Sequence, residues 1–213
     1  MAMSKKSYWV VGILLVAVLS VPVLVIGAKK GQLPFVQQVK DTSKSKGNSE
    51  GPIKIEEYGD FQCPSCQMVQ TKIDDMFEKH PGQIYLTFHH FPLQAHQFSG
   101  ISHQSAECAN QQGEFWLYHD KIYANQMVWS TAINPAELFL GYAKDIGLDT
   151  DAFVACLQNP DITEKIKAET RTGDALGINS TPTFFVNQRM LVGYKQFTEE
   201  IEKVLAEELA KKK

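Results

Sequence analysis

The sequence predicts an α/β domain interrupted by an all-helical block and preceded by one apolar N-terminal helix. Three observations carry this. Residues 53–91 alternate in polarity, turn helical, then alternate again. Residues 99–176 show only helical periodicity. Residues 183–210 give two short strands and a closing helix. The order is βαβ, a helical block, then ββα, and the opening unit is expected to be right-handed.

Composition fits that outline. A chain of 213 residues with 44% hydrophobic content suits one domain plus a tail. Aromatic content of 10% is too high for a disordered chain. No repeat with a period of about 20–50 residues is present, which excludes a solenoid. The formal net charge is −3, unevenly placed. Residues 1–50 hold seven Lys against Asp41 and Glu50, whereas residues 51–213 hold 14 basic and 22 acidic groups, a net of −8. An acidic body is a poor nucleic-acid binder, because phosphate contacts need clustered Lys and Arg.

The basic excess flanks an apolar run. Trp9–Ala28 is 20 residues without a charge, between Lys5–Lys6 and Lys29–Lys30. A helix of that length spans ~30 Å, one hydrocarbon core. The run exceeds the usual ~7–15 residues of a signal-peptide core, so an uncleaved signal anchor is the first reading. A cleaved signal peptide ending near Gly27–Ala28 is the second, and a core helix of the domain the third. The first two both export residues 30–213, although the balanced Lys flanks do not fix orientation. Residues 29–51 are polar and read as a flexible linker. The folded domain is expected over 52–213, with its helical insertion at about 95–176.

Ile53, Ile55 and Glu57 alternate with Lys54, Glu56 and Tyr58, which predicts a strand with one face inward. From Cys63 to His80 the spacing of Val69, Ile73, Met76 and Phe77 predicts a helix, stopped by Pro81–Gly82. Ile84, Leu86 and Phe88 mark a second strand, to Phe91. Helices follow at Ser102–Gln111, Glu114–Met127, Pro135–Ile146, Asp151–Leu157 and Asp161–Leu176. Thr183–Val186 and Met190–Val192 form a hairpin around Asn187–Gln188, and a helix over Thr198–Ala210 closes the chain.

The sharpest chemical signal is Cys63-Pro64-Ser65-Cys66 at a strand-to-helix junction. A thiolate is the nucleophile of disulfide exchange, and a helix N-terminus lowers a thiol's pKa. Pro64 falls at an early helical position, where its missing N–H costs nothing. Half of a zinc site is the rival reading, but no second CxxC or Cys/His pair at ligand spacing completes it. A structural disulfide is the other, and so short a loop gains little from closure. Thr181-Pro182 stands just ahead of a strand, where a trans Pro is also acceptable.

Tyr58-Gly59-Asp60-Phe61-Gln62-Cys63-Pro64-Ser65-Cys66, with Gly177-Ile178-Asn179-Ser180-Thr181-Pro182-Thr183-Phe184-Phe185-Val186-Asn187, resembles the DsbA family of thiol–disulfide oxidoreductases. It is most similar to single-span, BdbD-like members of the thioredoxin superfamily. Ala106-Glu107-Cys108-Ala109, Gly113-Glu114-Phe115-Trp116 with His119-Asp120, and Cys156-Leu157 match as well, so the resemblance spans roughly residues 50–210. It implies a thioredoxin fold with an inserted all-helical domain ahead of a cis-Pro. Cys63 is then the nucleophile, Cys66 the resolving thiol, and Pro182 lies against the disulfide. Thr181, with Pro64 and Ser65, would contact substrate. The best-known oxidase of the family has His where this chain has Ser65, which leaves its oxidising strength open.

Glu57 is in phase with Ile53 and Ile55, so it should point inward, where a lone carboxylate is expensive. Family members carry an acid at this place, six residues before the first Cys. It would relay a proton to or from Cys66; the alternative is a break in strand phase that leaves it solvated. Assigning Cys63–Cys66 leaves Cys108 and Cys156, which would close a loop of 48 residues. A structural disulfide is expected there; a relay pair or two buried thiols are the alternatives. The six His read as surface or core-edge residues, and no metal site is expected. Phe115, Trp116, Tyr118 and Tyr123 read as helical core.

The resemblance implies an extracytoplasmic oxidase, monomeric, with no cofactor beyond its own redox-active disulfide. It would sit as a single-pass protein of a bacterial cytoplasmic membrane, held through residues 9–28. Its partners would be unfolded reduced secreted proteins and a quinone-linked membrane reoxidase of DsbB-like or VKOR-like type. A reductase or isomerase using the same cysteines is one alternative; the 29–51 segment is too short for an isomerase's dimerisation domain. A redox-inert binding or chaperone module is another, and the intact CxxC opposes it.

Overall fold

The computed structural model describes residues 44–211. The apolar run Trp9–Ala28 lies outside the described residues. Among the described residues no helix is long and apolar enough to cross a membrane.

Five strands form one mixed sheet in the order β1-β3-β2-β4-β5. β2 (Ile53–Gly59) runs parallel to β3 (Ile84–His90), joined by α1 (Pro64–Lys79). Opposite Ile55 and Glu57 on β3 lie Leu86 and Phe88. β4 (Thr183–Val186) pairs antiparallel with β2, and β5 (Arg189–Val192) with β4. The alternating residues do what period two requires. Ile53, Ile55, Ile84, Leu86, Phe184 and Val186 bury one sheet face, against Val69, Ile73 and Met76 of α1. Phe197, Ile201, Val204 and Leu205 of α8 (Gly193–Ala210) join the same core. Gly82, at φ +70°, makes the turn that stops α1 from running on into β3.

The insertion comprises α2 (Ser99–Gln111), α3 (Phe115–Ala124), α4 (Gln126–Trp129), α5 (Ala136–Asp145), α6 (Thr150–Leu157) and α7 (Pro160–Ala175). Phe115, Tyr118, Ile122, Tyr123, Trp129, Phe139 and Phe153 pack a second core that also takes in Phe61, Phe88 and Cys66. The two cores therefore meet at the start of α1. Cys108 of α2 is bonded to Cys156 of α6.

Four expectations need correction. Residues 44–51 belong to the domain and not to the linker: β1 (Ser45–Gly47) pairs antiparallel with β3, and Lys44 is buried. A three-residue polar edge strand has too few positions to display period two. Tyr58, out of phase with the inward face, is also buried, because Phe91, Phe185 and Ile178 cover that end of the sheet. The helix expected over Glu114–Met127 is broken at Asn125, whose side chain bonds the Lys121 carbonyl at 2.8 Å. The closing helix starts five residues early, where Gln196 caps the Val192 N–H at 2.9 Å and Phe197 stacks on Phe184.

Candidate active site

β2 delivers the chain into a tight turn, Asp60–Gln62, and Cys63 caps α1 in extended conformation with Pro64 at the first helical position. Cys63 accepts the first helical bonds: its carbonyl takes the N–H of Cys66 at 3.1 Å and of Gln67 at 3.2 Å. The turn needs Gly59. A Cβ there would come within 2.6 Å of the Phe88 ring.

Both thiols of the turn are free and buried, though Cys63 keeps 7% exposure and Cys66 none. The Cys63 thiol faces the Thr181–Pro182 peptide, which is cis, and donates to the Thr181 carbonyl at 3.4 Å. Pro182 is buried, Pro64 is exposed and Ser65 partly so. The Pro182 carbonyl in turn accepts the Gly193 N–H at 2.7 Å, which ties the cis-Pro loop to the start of α8.

The two thiols have opposite electrostatics. A hydrogen bond from Cys66 does most to hold Cys63 down, to about 6 against the pull of burial; the N–H groups of Cys66 and Ser65 add to it. Burial, then the neighbouring Cys63, pushes Cys66 well above the usual thiol range. Glu57 points inward from β2 and is fully buried. Desolvation raises it to about 7, opposed by the charge of Lys46 and a 3.4 Å bond from Gln70 Nε2. Its Oε2 has no hydrogen-bond partner among the described residues. The same Gln70 amide bonds the Cys66 carbonyl at 2.9 Å, and the charge of Glu57 is felt at Cys66. The described structure thus brings together Cys63, Cys66, Glu57, Thr181, Pro182, Pro64 and Ser65. Cys108 and Cys156 lie apart, in the insertion.

Sequence reasoning missed the groups that fasten this turn to the insertion. Asp60 is a fully buried carboxylate held well below the usual range; burial opposes this, and the His103 imidazole, its Nε2 3.6 Å away, leads the causes that win. It accepts from the Gln62 and Leu93 N–H groups at 2.8 and 2.9 Å and from Ser99 Oγ at 2.7 Å, with His96 Nδ1 also at 2.7 Å. Its own N–H points at Cys66 Sγ, 3.5 Å away. Gln126 Nε2 donates to the carbonyls of Phe61 and Cys63 at 2.8 and 2.9 Å. No local spacing announces the pairs that leave the turn, since those partners lie 33 to 65 residues away in sequence.

The histidines are also not where expected: His90, His103 and His119 are fully buried. His90 Nδ1 lies 2.7 Å from His103 Nδ1, and its Nε2 is 3.2 Å from Glu107. Burial, chiefly, lowers His90 to about 4, so it is neutral at neutral pH. His90, Glu107 and Glu169 bring three ligand-type atoms within 4.8 Å of one another. The cation there is already supplied, because Lys44 bonds Glu169 and lies 3.7 Å from Glu107.

A thioredoxin family model matches residues 40–206. The chain belongs to the thioredoxin family. Among curated proteins, this thioredoxin-family chain is 32% identical over 166 residues to a Na(+)/H(+) antiporter NhaA 1 of Salinispora arenicola, covering 77% of this chain and 24% of that protein. It therefore spans about a quarter of the length of the curated relatives that rank first. It is 27% identical to a probable disulfide bond formation protein D of Bacillus anthracis, over 68% of this chain and 70% of that one. Among solved structures, oxidised BdbD of Bacillus subtilis superposes with a TM-score of 0.69 at 20% identity, over 78% of this chain and 92% of that one. The thioredoxin fold with its helical insertion is thus shared with that structure.

Proposed function

We propose that this chain is an exported, membrane-tethered thiol–disulfide oxidoreductase that gives its Cys63–Cys66 disulfide to reduced secreted proteins. One observation carries the reading: a low-pKa, slightly exposed Cys63 sits at a helix N-terminus beside a buried, high-pKa Cys66, under a cis-Pro loop. A low Cys63 pKa stabilises the reduced form and so makes the disulfide a better oxidant.

The exchange runs in two displacements. A substrate thiolate attacks Cys63 Sγ of the disulfide; the S–S bond breaks and Cys66 leaves as a thiolate. Cys66, with its high pKa, takes a proton, and Glu57 at about 7 would supply it. A second substrate thiolate then attacks the substrate sulfur of the mixed disulfide and releases Cys63 as a thiolate. Two electrons pass from the substrate dithiol to the chain. The Thr181 backbone, with Pro64 and Ser65 at the rim, would hold an extended substrate beside Cys63. A quinone-linked membrane reoxidase would take the electrons on. Export and tethering rest on the Trp9–Ala28 run and its Lys flanks.

The deciding experiment is the reduction potential of Cys63–Cys66 in glutathione buffers. A value above roughly −180 mV supports the oxidase. One below roughly −230 mV overturns that direction and makes the protein a reductase. A Cys63→Ala variant that kept full activity would overturn redox chemistry altogether.

A further inference from the structure

The catalytic turn is held on one side by the sheet and on the other by side chains of the insertion, of which Gln126 reaches the Cys63 carbonyl. Gln126 is 3% exposed, and its amide bridges Phe61 O and Cys63 O at 2.8 and 2.9 Å. The chain goes out of its way to put it there. The helical pattern of residues 114–127 would carry α3 straight on, yet α3 stops and α4 restarts at Gln126. Trp129 reinforces the break, its indole N–H bonding the Ile122 carbonyl at 2.8 Å.

We propose that Gln126 is a positioning residue for Cys63: it fixes the Phe61–Gln62 and Cys63–Pro64 peptide planes, so that the first N–H groups of α1 stay aimed at the Cys63 sulfur. The Cys63 carbonyl already accepts from Cys66 and Gln67, and the Gln126 amide is its third donor. Three donors on one carbonyl pin that plane and offset the negative end of its dipole, the polar group nearest the thiolate in sequence. A neutral amide does this at every pH. A carboxylate could not, because it has no proton to donate when ionised. Through this contact the insertion acts on the thiol chemistry, in addition to covering the site. The inference rests on the thiol–disulfide reading and deepens it.

The test is Gln126→Met, which keeps the length and removes both donors, in the full chain. Thiolate absorbance in the far ultraviolet, followed against pH, reads the Cys63 midpoint. Equilibration with glutathione reads the disulfide. The midpoint should rise by about one unit, and the glutathione equilibrium should shift about tenfold toward the disulfide form, one unit being tenfold in an equilibrium constant. Urea unfolding should show the dithiol form losing more than the disulfide form. An unchanged midpoint and equilibrium, with or without a loss of stability, would reduce Gln126 to a structural hydrogen bond and overturn the proposal. Should the Met variant not fold, Gln126→Asn keeps the amide but withdraws it by one methylene; a wild-type midpoint there overturns the proposal equally. Failure of the parent reading looks different: the unmodified chain would not oxidise a dithiol peptide, while both titrations would still report on Gln126.

Discussion

Cys63 and Cys66 stand three residues apart under opposite conditions, and their pH behaviour should separate cleanly. Cys63 lies at about 6, below the ordinary thiol value of 9.0. Between those values the folded dithiol form holds its thiolate while an unfolded chain would still be protonated. That share of stability is complete above pH 9 and is lost as pH falls through about 6. In the reduced chain, alkylation by iodoacetamide should rise with pH to a midpoint near 6 and label Cys63 alone at neutral pH; mass spectrometry of the tryptic peptide reads it. Glu57 has the opposite sign. Its folded value of about 7 exceeds the ordinary 4.5, so it costs stability as pH rises between the two, and the full cost applies above 7. Glu57→Gln should therefore stabilise the fold by up to about 3 kcal/mol at pH 8 and by little at pH 4, in urea unfolding. It should also slow exchange, because Cys66 loses its proton source. A stability gain with no change in rate would remove Glu57 from the mechanism.

The elements show what local pattern can and cannot report. β2, β3, α1 and the hairpin were legible because each has an amphipathic rhythm and a clear stop, such as Pro81–Gly82. The CxxC turn and Thr181–Pro182 were legible as chemistry. The break at Asn125 was not, because helical spacing continues through it while Gln126 and Trp129 take their partners from other turns of the chain. β1 was illegible because three polar residues at an edge carry no rhythm. The buried histidines were illegible for a further reason: His90, His103 and Asp60 sit on three separate elements, and only the packing of the insertion brings them together. That insertion is cross-braced by Cys108–Cys156, across 48 residues. Replacing both with Ala should lower stability by about 4 kcal/mol in urea unfolding if the bond acts by closing that loop. The thiol midpoint of Cys63 should stay in place, since the bond joins α2 to α6 within the insertion.

The whole molecule joins an acidic catalytic body to a basic, apolar leading segment. The proposed division of labour follows: one part holds the membrane and the other does the chemistry. The join between them is less simple than polarity suggests. Lys44 is 1% exposed and bonds Glu169, with Glu107 3.7 Å away; Lys165 and His90 also reach Glu107, at 2.6 and 3.2 Å. Breaking a buried ion pair by removing one partner typically costs about 3–5 kcal/mol, because the other charge stays buried. A chain beginning at Pro52 should therefore be less stable than one beginning at residue 40 by at least that much, and Lys44→Met should reproduce most of the loss in urea unfolding. Equal stability of the two chains would mean that the pair contributes nothing. On the proposed tethering this makes Lys44 the frontier for shedding: a protease that cuts upstream of it would release the domain with its buried ion pair intact, and one that cuts just downstream would strip Glu169 of its lysine and weaken the fold.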